Sequence, residues 1–149
     1  MRTCHIALLL AASAVSLSGC KGQPSEKFVT VEGRLMVEGQ PVTTGHIGFI
    51  PDESRGNMHP EYSIGDIQPD GKFKLVTNDK GGVRLGWYKV VIWAASEPIS
   101  PTPTFGANGQ PTPINWVVAT KYTTKETTDL FVEVVEQPSP GRYDFNVTK

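Results

Sequence analysis

Residues 86–95, with the sequence GWYKVVIWAA, constrain the fold more than any other segment. Read with the period of two that a β-strand imposes, this segment carries apolar side chains on both faces. A strand that is apolar on both faces is usually interior to its sheet and covered twice. The segment therefore predicts a central strand of an all-β domain. One face carries Tyr88, Val90, Ile92 and Ala94, and the other carries Trp87, Val91 and Trp93.

Seven further segments have the pattern of short strands, and turn residues separate them. Fifteen glycines and twelve prolines supply turns along the chain, and no long amphipathic helix is visible. The fold class predicted is all-β: a single antiparallel β-sandwich of about seven or eight strands over residues 28–149. The predicted strands are residues 28–37, 43–50, 61–68, 72–77, 86–95, 116–119, 130–136 and 142–148.

The turns between the strands predict how neighbouring strands pair. The turn at residues 38–41 predicts a hairpin between the first two strands. The sequence Pro69-Asp70-Gly71 predicts a second hairpin between the third and fourth strands. Alternation also predicts which side chains face the core, namely Val29, Val31, Gly33, Leu35, Val37, Ile47, Phe49, Leu130, Val132, Val134, Tyr143, Phe145 and Val147.

Residues 96–115 interrupt this pattern with five prolines and two glycines. Because proline lacks the backbone N–H that a strand ladder needs, this segment is not expected to pair as a strand. A loop of this length is uncommon in a compact domain and is usually functional or disordered. Its prolines also limit its freedom before binding, which favours a role as a recognition edge.

The N-terminal 20 residues have the layout of a secretory signal. Arg2 gives a positive start, residues 6–17 are apolar or small at nearly every position, and the run ends at Leu17-Ser18-Gly19-Cys20. The apolar run is too short for a bilayer, which needs about 20 residues. With a cysteine directly behind Leu-Ser-Gly, the segment resembles a bacterial lipoprotein signal peptide. The resemblance implies cleavage before Cys20, lipid on its thiol, and acylation of its new amino group, as with palmitate.

This resemblance divides the chain into a signal peptide at 1–19, a lipidated cysteine with a polar tether at 20–27, and a domain at 28–149. It implies a cell-envelope protein on the outer or cytoplasmic membrane that faces the periplasm or the exterior. Residues 21–27 span at most about 23 Å at about 3.3 Å per residue, so the domain is expected close to the membrane. The alternative is an ordinary secreted protein with an unpaired thiol, which is a liability in an oxidising compartment.

The net charge limits which classes of partner are expected, and the cysteine content limits which disulfides can form. The formal net charge is −1 at pH 7, and no basic cluster exists to hold nucleic acid or anionic lipid. Cys4 leaves with the predicted signal and Cys20 carries the predicted lipid, so no disulfide is expected within the domain. The expected partners are the membrane, through the lipid anchor, and an envelope protein or glycan, without nucleic acid. No cofactor is expected.

Several motifs follow one another in a characteristic order: 31–35 (VEGRL), 39–42 (GQPV), 45–51 (GHIGFIP), 70–75 (DGKFKL), 86–92 (GWYKVVI), 119–122 (ATKY) and 143–145 (YDF). Together they resemble the transthyretin-like, or carboxypeptidase-regulatory-like, lipoprotein domains of planctomycetes and other environmental bacteria. The resemblance covers nearly the whole mature chain and implies a transthyretin-like sandwich. It implies no activity, because the motifs consist mostly of turn and core residues. Ala119 stands where the family pattern has proline.

Two histidines, His46 and His59, remain in the mature chain after His5 leaves with the predicted signal. They lack the spacing of a zinc pair, and no mature cysteine is left as a ligand or nucleophile. A metal site would require both to approach Asp52 or Glu53, which would make a metal-dependent hydrolase. Ordinary surface histidines are the simpler interpretation, so no catalytic residue and no metal ligand is predicted.

Trp87 and Trp93, with Lys89 between them, form a candidate ligand platform. If both indoles are exposed, they offer flat apolar faces on which a sugar ring or another protein could stack. The favoured alternative is that the proline-rich segment at 96–115 folds back and covers them.

These observations predict a lipid-anchored cell-envelope protein whose β-sandwich has no catalytic activity and acts as a structural or interaction module. A carbohydrate-binding module that uses Trp87 and Trp93 is the first alternative. A metal-dependent hydrolase that uses His46 and His59 is the second. The first alternative requires both indoles exposed on one face, and the second requires the two histidines close together.

Overall fold

Two β-sheets lie face to face in the computed structural model and enclose an apolar core, which confirms the predicted all-β sandwich. The structure describes residues 27–97, 99 and 102–149. The predicted signal peptide at 1–19, the predicted lipidated Cys20 and all of the predicted tether except Lys27 lie outside the described residues.

The described residues form short strands and two 3-10 helices, Glu53–Arg55 and Thr120–Thr123, with no α-helix among them. Neither of these helices has the length and hydropathy that a membrane span requires. The strands of this part of the chain are β1 (Phe28–Val29), β2 (Glu32–Val37), β3 (Gln40–Pro41), β4 (His46–Pro51), β5 (Ser63–Asp66), β6 (Lys72–Lys74), β7 (Val76–Thr77), β8 (Lys80–Gly81), β9 (Val83–Arg84), β10 (Gly86–Trp93), β11 (Phe131–Val134) and β12 (Phe145–Val147).

The larger sheet has six strands in the order β11-β10-β4-β5-β7-β8, and all of its pairs are antiparallel. The smaller sheet has the order β12-β2-β3, and β6 also pairs with β2. β1 and β9 form a separate two-stranded antiparallel sheet. β12 runs parallel to β2, so the sandwich is antiparallel except for this pair. β10 lies between β11 and β4, which confirms the interior position predicted for it.

The core lies between the two sheets and uses the side chains that alternation predicted. Val31 and Leu35 face it from the smaller sheet side, and both are fully buried. The Phe49 ring of β4 lies at the centre, with ring centroids 5.9 Å from Tyr88 and 6.1 Å from Phe145. Such tilted and edge-to-face contacts are a favoured arrangement of aromatic rings. These contacts join the larger sheet to β12.

The predicted hairpin between residues 28–37 and 43–50 is wrong. Glu38 and Gly39 both have positive φ, 50° and 81°, and this tight turn returns the chain only as the two-residue β3. The chain then crosses at Gly45 to the larger sheet, where β4 pairs with β10 and β5. Gly45 has a φ of 112°, and a Cβ there would lie 2.5 Å from the Trp93 carbonyl oxygen. Only glycine fits this crossing.

The predicted strand at 72–77 divides between the two sheets, because β6 pairs with β2 and β7 pairs with β5. Leu75 lies at the crossing point, is fully buried, and donates its N–H to the Val31 carbonyl oxygen at 3.0 Å. The predicted turn before it does form, since the Gln68 N–H donates to the Lys72 carbonyl oxygen at 2.8 Å. The predicted hairpin is thus confirmed only in part, because Val76 pairs antiparallel with Ile64 of β5 while β6 pairs with β2 of the other sheet.

Most of the other predicted strands are shorter than expected, and the segments 61–68 and 116–119 are two examples. The strand predicted at 61–68 is confined to β5. The strand predicted at 116–119 is a single bridge between Trp116 and Ala95. After β5 the chain leaves the sheet, and the Ile67 N–H donates to the Gly45 carbonyl oxygen at 2.9 Å.

The described residues of the segment 96–115, here called the arm, follow the far end of β10. At its base the Ser96 N–H donates to the Asn115 carbonyl oxygen at 2.9 Å. Farther out, Phe105 and Pro111 form a bridge that backbone hydrogen bonds flank on both sides. No strand forms among the described residues of this segment, as expected, but its two halves contact each other at this one isolated bridge. Pro111 lies at a position of the bridge where no backbone N–H has to donate a hydrogen bond, so proline is tolerated there.

Candidate functional site

The outer face of the larger sheet carries the residues of the predicted platform. Because successive side chains of a strand point to opposite faces, Trp87, Lys89, Val91 and Trp93 point away from the core. Val91 is nevertheless fully buried, so the middle of this outer face is covered. The 3-10 helix Thr120–Thr123 packs against β10 at this place.

Residues 119–128, here called the covering segment, are fixed to β10 by three side-chain hydrogen bonds. Two of the three come from residues of the predicted platform, and the third is buried. The bonds join Trp93 Nε1 to the Thr123 carbonyl oxygen (2.9 Å), Lys89 Nζ to the Lys125 carbonyl oxygen (3.0 Å) and Thr128 Oγ1 to the Val90 carbonyl oxygen (2.7 Å).

Two further contacts stabilise the covering segment. One is an exposed ion pair, and the other is a hydrogen bond of the buried Tyr122. Lys121 Nζ lies 2.7 Å from Asp129 Oδ2, and this contact lowers the pKa of Asp129 and raises the pKa of Lys121. Tyr122 is buried, and a hydrogen bond with the Thr148 side chain lowers the pKa of its phenol. These contacts tie the covering segment to the C-terminal strand region as well as to β10.

The Trp93 indole lies across the neighbouring strand β4, at the position of Gly48. A Cβ at Gly48 would lie 2.9 Å from Trp93 Cζ3 and 3.1 Å from Cη2. The missing side chain at Gly48 therefore makes room for the ring, and the Thr123 carbonyl fixes its other edge. The indole is partly exposed in this fixed position.

Trp87 lies at the opposite end of the outer face, where the Arg55 guanidinium packs over its ring. The Arg55 guanidinium carbon lies 4.6 Å from the Trp87 ring centre and 4.3 Å from the Phe131 ring centre. Arg55 Nε is also 3.3 Å from the buried Asp52 carboxylate, which positions the guanidinium between the rings. Such a cation between aromatic faces contributes about 0.5–1 kcal/mol per pair at an exposed site.

The predicted platform residues therefore do not act as one surface. Trp87 and Trp93 are six residues apart on a strand, which places them about 20 Å apart, too far to contact one sugar ring. Lys89 between them is engaged by the Lys125 carbonyl. The covering segment and Arg55 cover the two indoles. The prediction that residues 96–115 cover them is wrong. The local sequence could not predict this, because the bonds join residues 30 or more positions apart.

The structure places the two histidines in different surroundings. His46 Nδ1 lies 2.8 Å from Asp66 Oδ1 at the edge where β4 pairs with β5. His59 lies in the exposed loop before β5. Neither histidine belongs to a group of three or more histidine, cysteine, aspartate or glutamate residues that could hold a metal ion, as far as the described part of the chain shows.

A groove of about 410 Å³ lies beside Trp93 on the outer face of the larger sheet. Its floor and walls are apolar or aromatic, and polar side chains stand at its rim. Tyr62 is 55% exposed there. The apolar lining is Ile50, Pro60, Tyr62, Ile64 and Trp93, and the polar rim is Glu53, His59 and Lys125.

A larger cleft of about 880 Å³ opens between β2 and β5, where the two sheets meet. Its lining carries several charged side chains, two of which form an ion pair, with Lys74 Nζ 2.8 Å from Glu32 Oε1. Of the two spaces, only the groove combines two aromatic side chains with an apolar floor, which is the usual composition of a small-ligand site.

Tyr62 and the groove were not identified in the sequence. The available signal was the outward alternation of β4, which places His46, Gly48 and Ile50 opposite to the core residues. Ile50 and Trp93 both point away from the core, which indicates a second apolar surface. The sequence does not show that they share one groove, because this depends on the pairing of β4 with β10 and on the Trp93 ring lying over Gly48.

No protein-family model, curated protein or solved structure matches this chain.

Proposed function

We propose that this chain is a lipid-anchored protein of the bacterial cell envelope, and that its β-sandwich is a non-catalytic interaction module that contacts a partner through the arm. The observation that carries this proposal is the exposure of Phe105, whose accessible fraction is 65%, on a segment closed by its own hydrogen bonds. A large, exposed aromatic side chain on a segment held by backbone hydrogen bonds is a typical anchor of a protein interface.

The composition of the arm supports an apolar contact. Ile99 and Ile114 are each 45% exposed, so Phe105 belongs to a group of exposed apolar side chains on the arm. No charged residue occurs between positions 98 and 120 of the sequence. The prolines reduce the entropy that binding would otherwise cost. A partner with an uncharged, apolar groove matches this composition.

The positions of the two ends of the domain support a partner beyond the membrane surface. β1 pairs with β9, so the chain enters the domain beside Arg84, just before β10 begins. The arm follows the other end of β10, about 23 Å away along a strand of eight residues. Only seven residues separate Cys20 from Phe28. An anchor at Cys20 would therefore hold the first end at the bilayer and leave the arm on the far side.

The use of polar side chains within the fold supports a non-catalytic role. His46 is paired with Asp66, and Lys89 donates to a backbone carbonyl of the covering segment. We also propose that the domain belongs with the transthyretin-like domains it resembles. The two-sheet architecture supports that assignment, as does the position of the matching segments 45–51 and 86–92 on the adjacent strands β4 and β10.

The experiment is affinity purification of the acylated protein from its own envelope, with Phe105→Ala as the test variant and Met58→Ala as the matched control. Met58 is 74% exposed and lies outside the arm. A defined partner is expected with the wild type and with Met58→Ala, and its recovery is expected to fall about tenfold with Phe105→Ala. Equal recovery with all three proteins would exclude the arm as the contact.

A further inference from the structure

We propose that the groove beside Trp93 binds a single ring of an uncharged saccharide. This site lies on the outer face of the larger sheet and goes beyond the proposed contact of the arm. It also differs from the platform of Trp87, Lys89 and Trp93, because it uses Trp93 with Tyr62 and does not use Trp87.

The lining of the groove matches the apolar face of a sugar ring. Ile50 and Ile64 lie on adjacent strands and form the floor, while Trp93 and Tyr62 contribute aromatic surface. The volume of about 410 Å³ lies within the range of about 300–1,000 Å³ found for small-ligand sites. The C–H groups of a pyranose form a flat apolar surface, and an aromatic side chain offers the complementary face.

The rim of the groove matches the hydroxyl groups at the edge of the ring. Glu53 can accept hydrogen bonds, and Lys125 can donate them. Lys125 Nζ lies 3.3 Å from Glu53 Oε1, so the rim carries both signs of charge in one pair. His59 adds a ring nitrogen at the same rim. Donors and acceptors without net charge suit a neutral ligand that has several hydroxyl groups.

Other occupants fit this groove less well. An aliphatic lipid chain would remove water from Glu53 and Lys125 without offering them hydrogen bonds, which costs free energy. A charged ligand would have to separate the Glu53–Lys125 pair. A hydroxylated neutral ring avoids both costs, because it covers the apolar floor and leaves the rim solvated or hydrogen-bonded.

The protein holds the aromatic surface in place before any ligand arrives. Trp93 is fixed by the Thr123 carbonyl on one side and by the space over Gly48 on the other. A ligand therefore need not order the indole on binding, which reduces the entropy cost. The groove is open at the surface, so the expected affinity is in the millimolar range for one ring.

The test is NMR titration of the ¹⁵N-labelled acylated protein in a detergent without a sugar headgroup. The probes are N-acetylglucosamine tetramer, cellotetraose and mannotetraose, with octanoate as the aliphatic comparison. The chain has three tryptophans, so the three indole N–H signals report separate places. A saturable shift of the Trp93 signal is expected with at least one oligosaccharide, while the signals of Trp87 and Trp116 stay in place.

Two alanine variants separate this proposal from the function proposed for the arm. Tyr62→Ala is expected to weaken oligosaccharide binding about tenfold, which is about 1.4 kcal/mol, and to leave recovery of the arm's partner unchanged. Phe105→Ala is the matched control, because it also removes an exposed ring but lies on the arm. It is expected to lose the partner and to bind the oligosaccharide as the wild type does.

Three results would overturn the saccharide site. The first is no shift of Trp93 with any oligosaccharide at about 20 mM, well above a millimolar Kd. The second is an unchanged affinity in Tyr62→Ala. The third is a saturable Trp93 shift with octanoate alone, which would assign the groove to an aliphatic chain.

Discussion

At position 48 the absence of a side chain leaves room on β4 for the Trp93 indole. The nearest atoms to an added Cβ would be Trp93 Cζ3 at 2.9 Å and Val91 Cγ2 at 3.0 Å. Val91 is fully buried and cannot yield easily, so the indole would have to move. Because the same indole bonds to the Thr123 carbonyl, a change at Gly48 is transmitted to the covering segment.

We therefore expect Gly48→Ala to destabilise the domain by about 1–3 kcal/mol, the usual cost of extra volume in a packed site. Urea denaturation measures the free energy of unfolding, and the Trp93 indole N–H signal reports whether the ring has moved. Gly81→Ala is the matched control, because nothing lies within 4 Å of its added Cβ. It is expected to change stability by no more than about 0.5 kcal/mol. Equal effects of the two variants would contradict this packing.

Among the elements, the covering segment depends on an ion pair that titrates. The Lys121 ammonium holds the pKa of the Asp129 carboxyl below its ordinary value of 3.8. A carboxyl with a lowered pKa in the folded state stabilises the fold while it is ionised. That contribution is complete above about pH 4 and is lost as the pH falls through the lowered pKa.

Asp129→Asn is therefore expected to be less stable than the wild type near neutral pH and equally stable once the carboxyl is protonated. The measurement is urea denaturation of both proteins at about pH 6, above the ordinary carboxyl pKa, and at about pH 2.5, below it, where the difference in stability is expected to be smaller. Glu126→Gln, an exposed carboxyl on the same segment, is the control and is expected to show no such change. A stability difference of the same size at both pH values would show that the ion pair is not its cause.

The arm is an element whose removal the sandwich is expected to tolerate. Every described side chain from Thr102 to Asn115 is exposed, and the base is closed by the Ser96–Asn115 hydrogen bond. Replacing residues 97–114 with Gly-Gly shortens the loop, which lowers its closure entropy slightly. The free energy of unfolding should stay within about 1 kcal/mol of the wild-type value in urea denaturation. Failure of this variant to fold would show that the arm belongs to the core.

Alternation along the chain predicted the strands and their inward faces because burial of one face is a local property of a strand. Ile47 and Phe49 are both fully buried, as predicted. Alternation does not say which strand is the neighbour, so it could not show that β4 leaves β2 for the other sheet. It also could not show that residues 72–77 cross between sheets, because both halves of that segment bury alternate side chains.

The candidate site was less predictable than the fold. Trp87 and Trp93 could be placed on the outer face from the sequence, but their cover could not. That cover depends on Arg55 and on the carbonyl of Thr123, which come from distant parts of the chain. The arm was recognised as unusual from its prolines, whereas its pairing depends on where those prolines fall relative to the hydrogen-bonded positions.

In the whole molecule, two features lie at opposite ends of the sandwich. The chain enters beside β9 at one end of β10, and the arm leaves at the other end. The groove lies between them on the outer face of the larger sheet. An anchor at the first end would orient all three features relative to a membrane.

The mass of the N-terminal peptide shows whether Cys20 carries the proposed lipid anchor. The protein should be purified from its own cells, digested, and analysed by mass spectrometry. We expect the first residue to be Cys20, with a thiol-linked lipid and an acylated amino group. An N-terminal peptide that still contains residues 1–19, or one that begins with an unmodified Cys20, would contradict it.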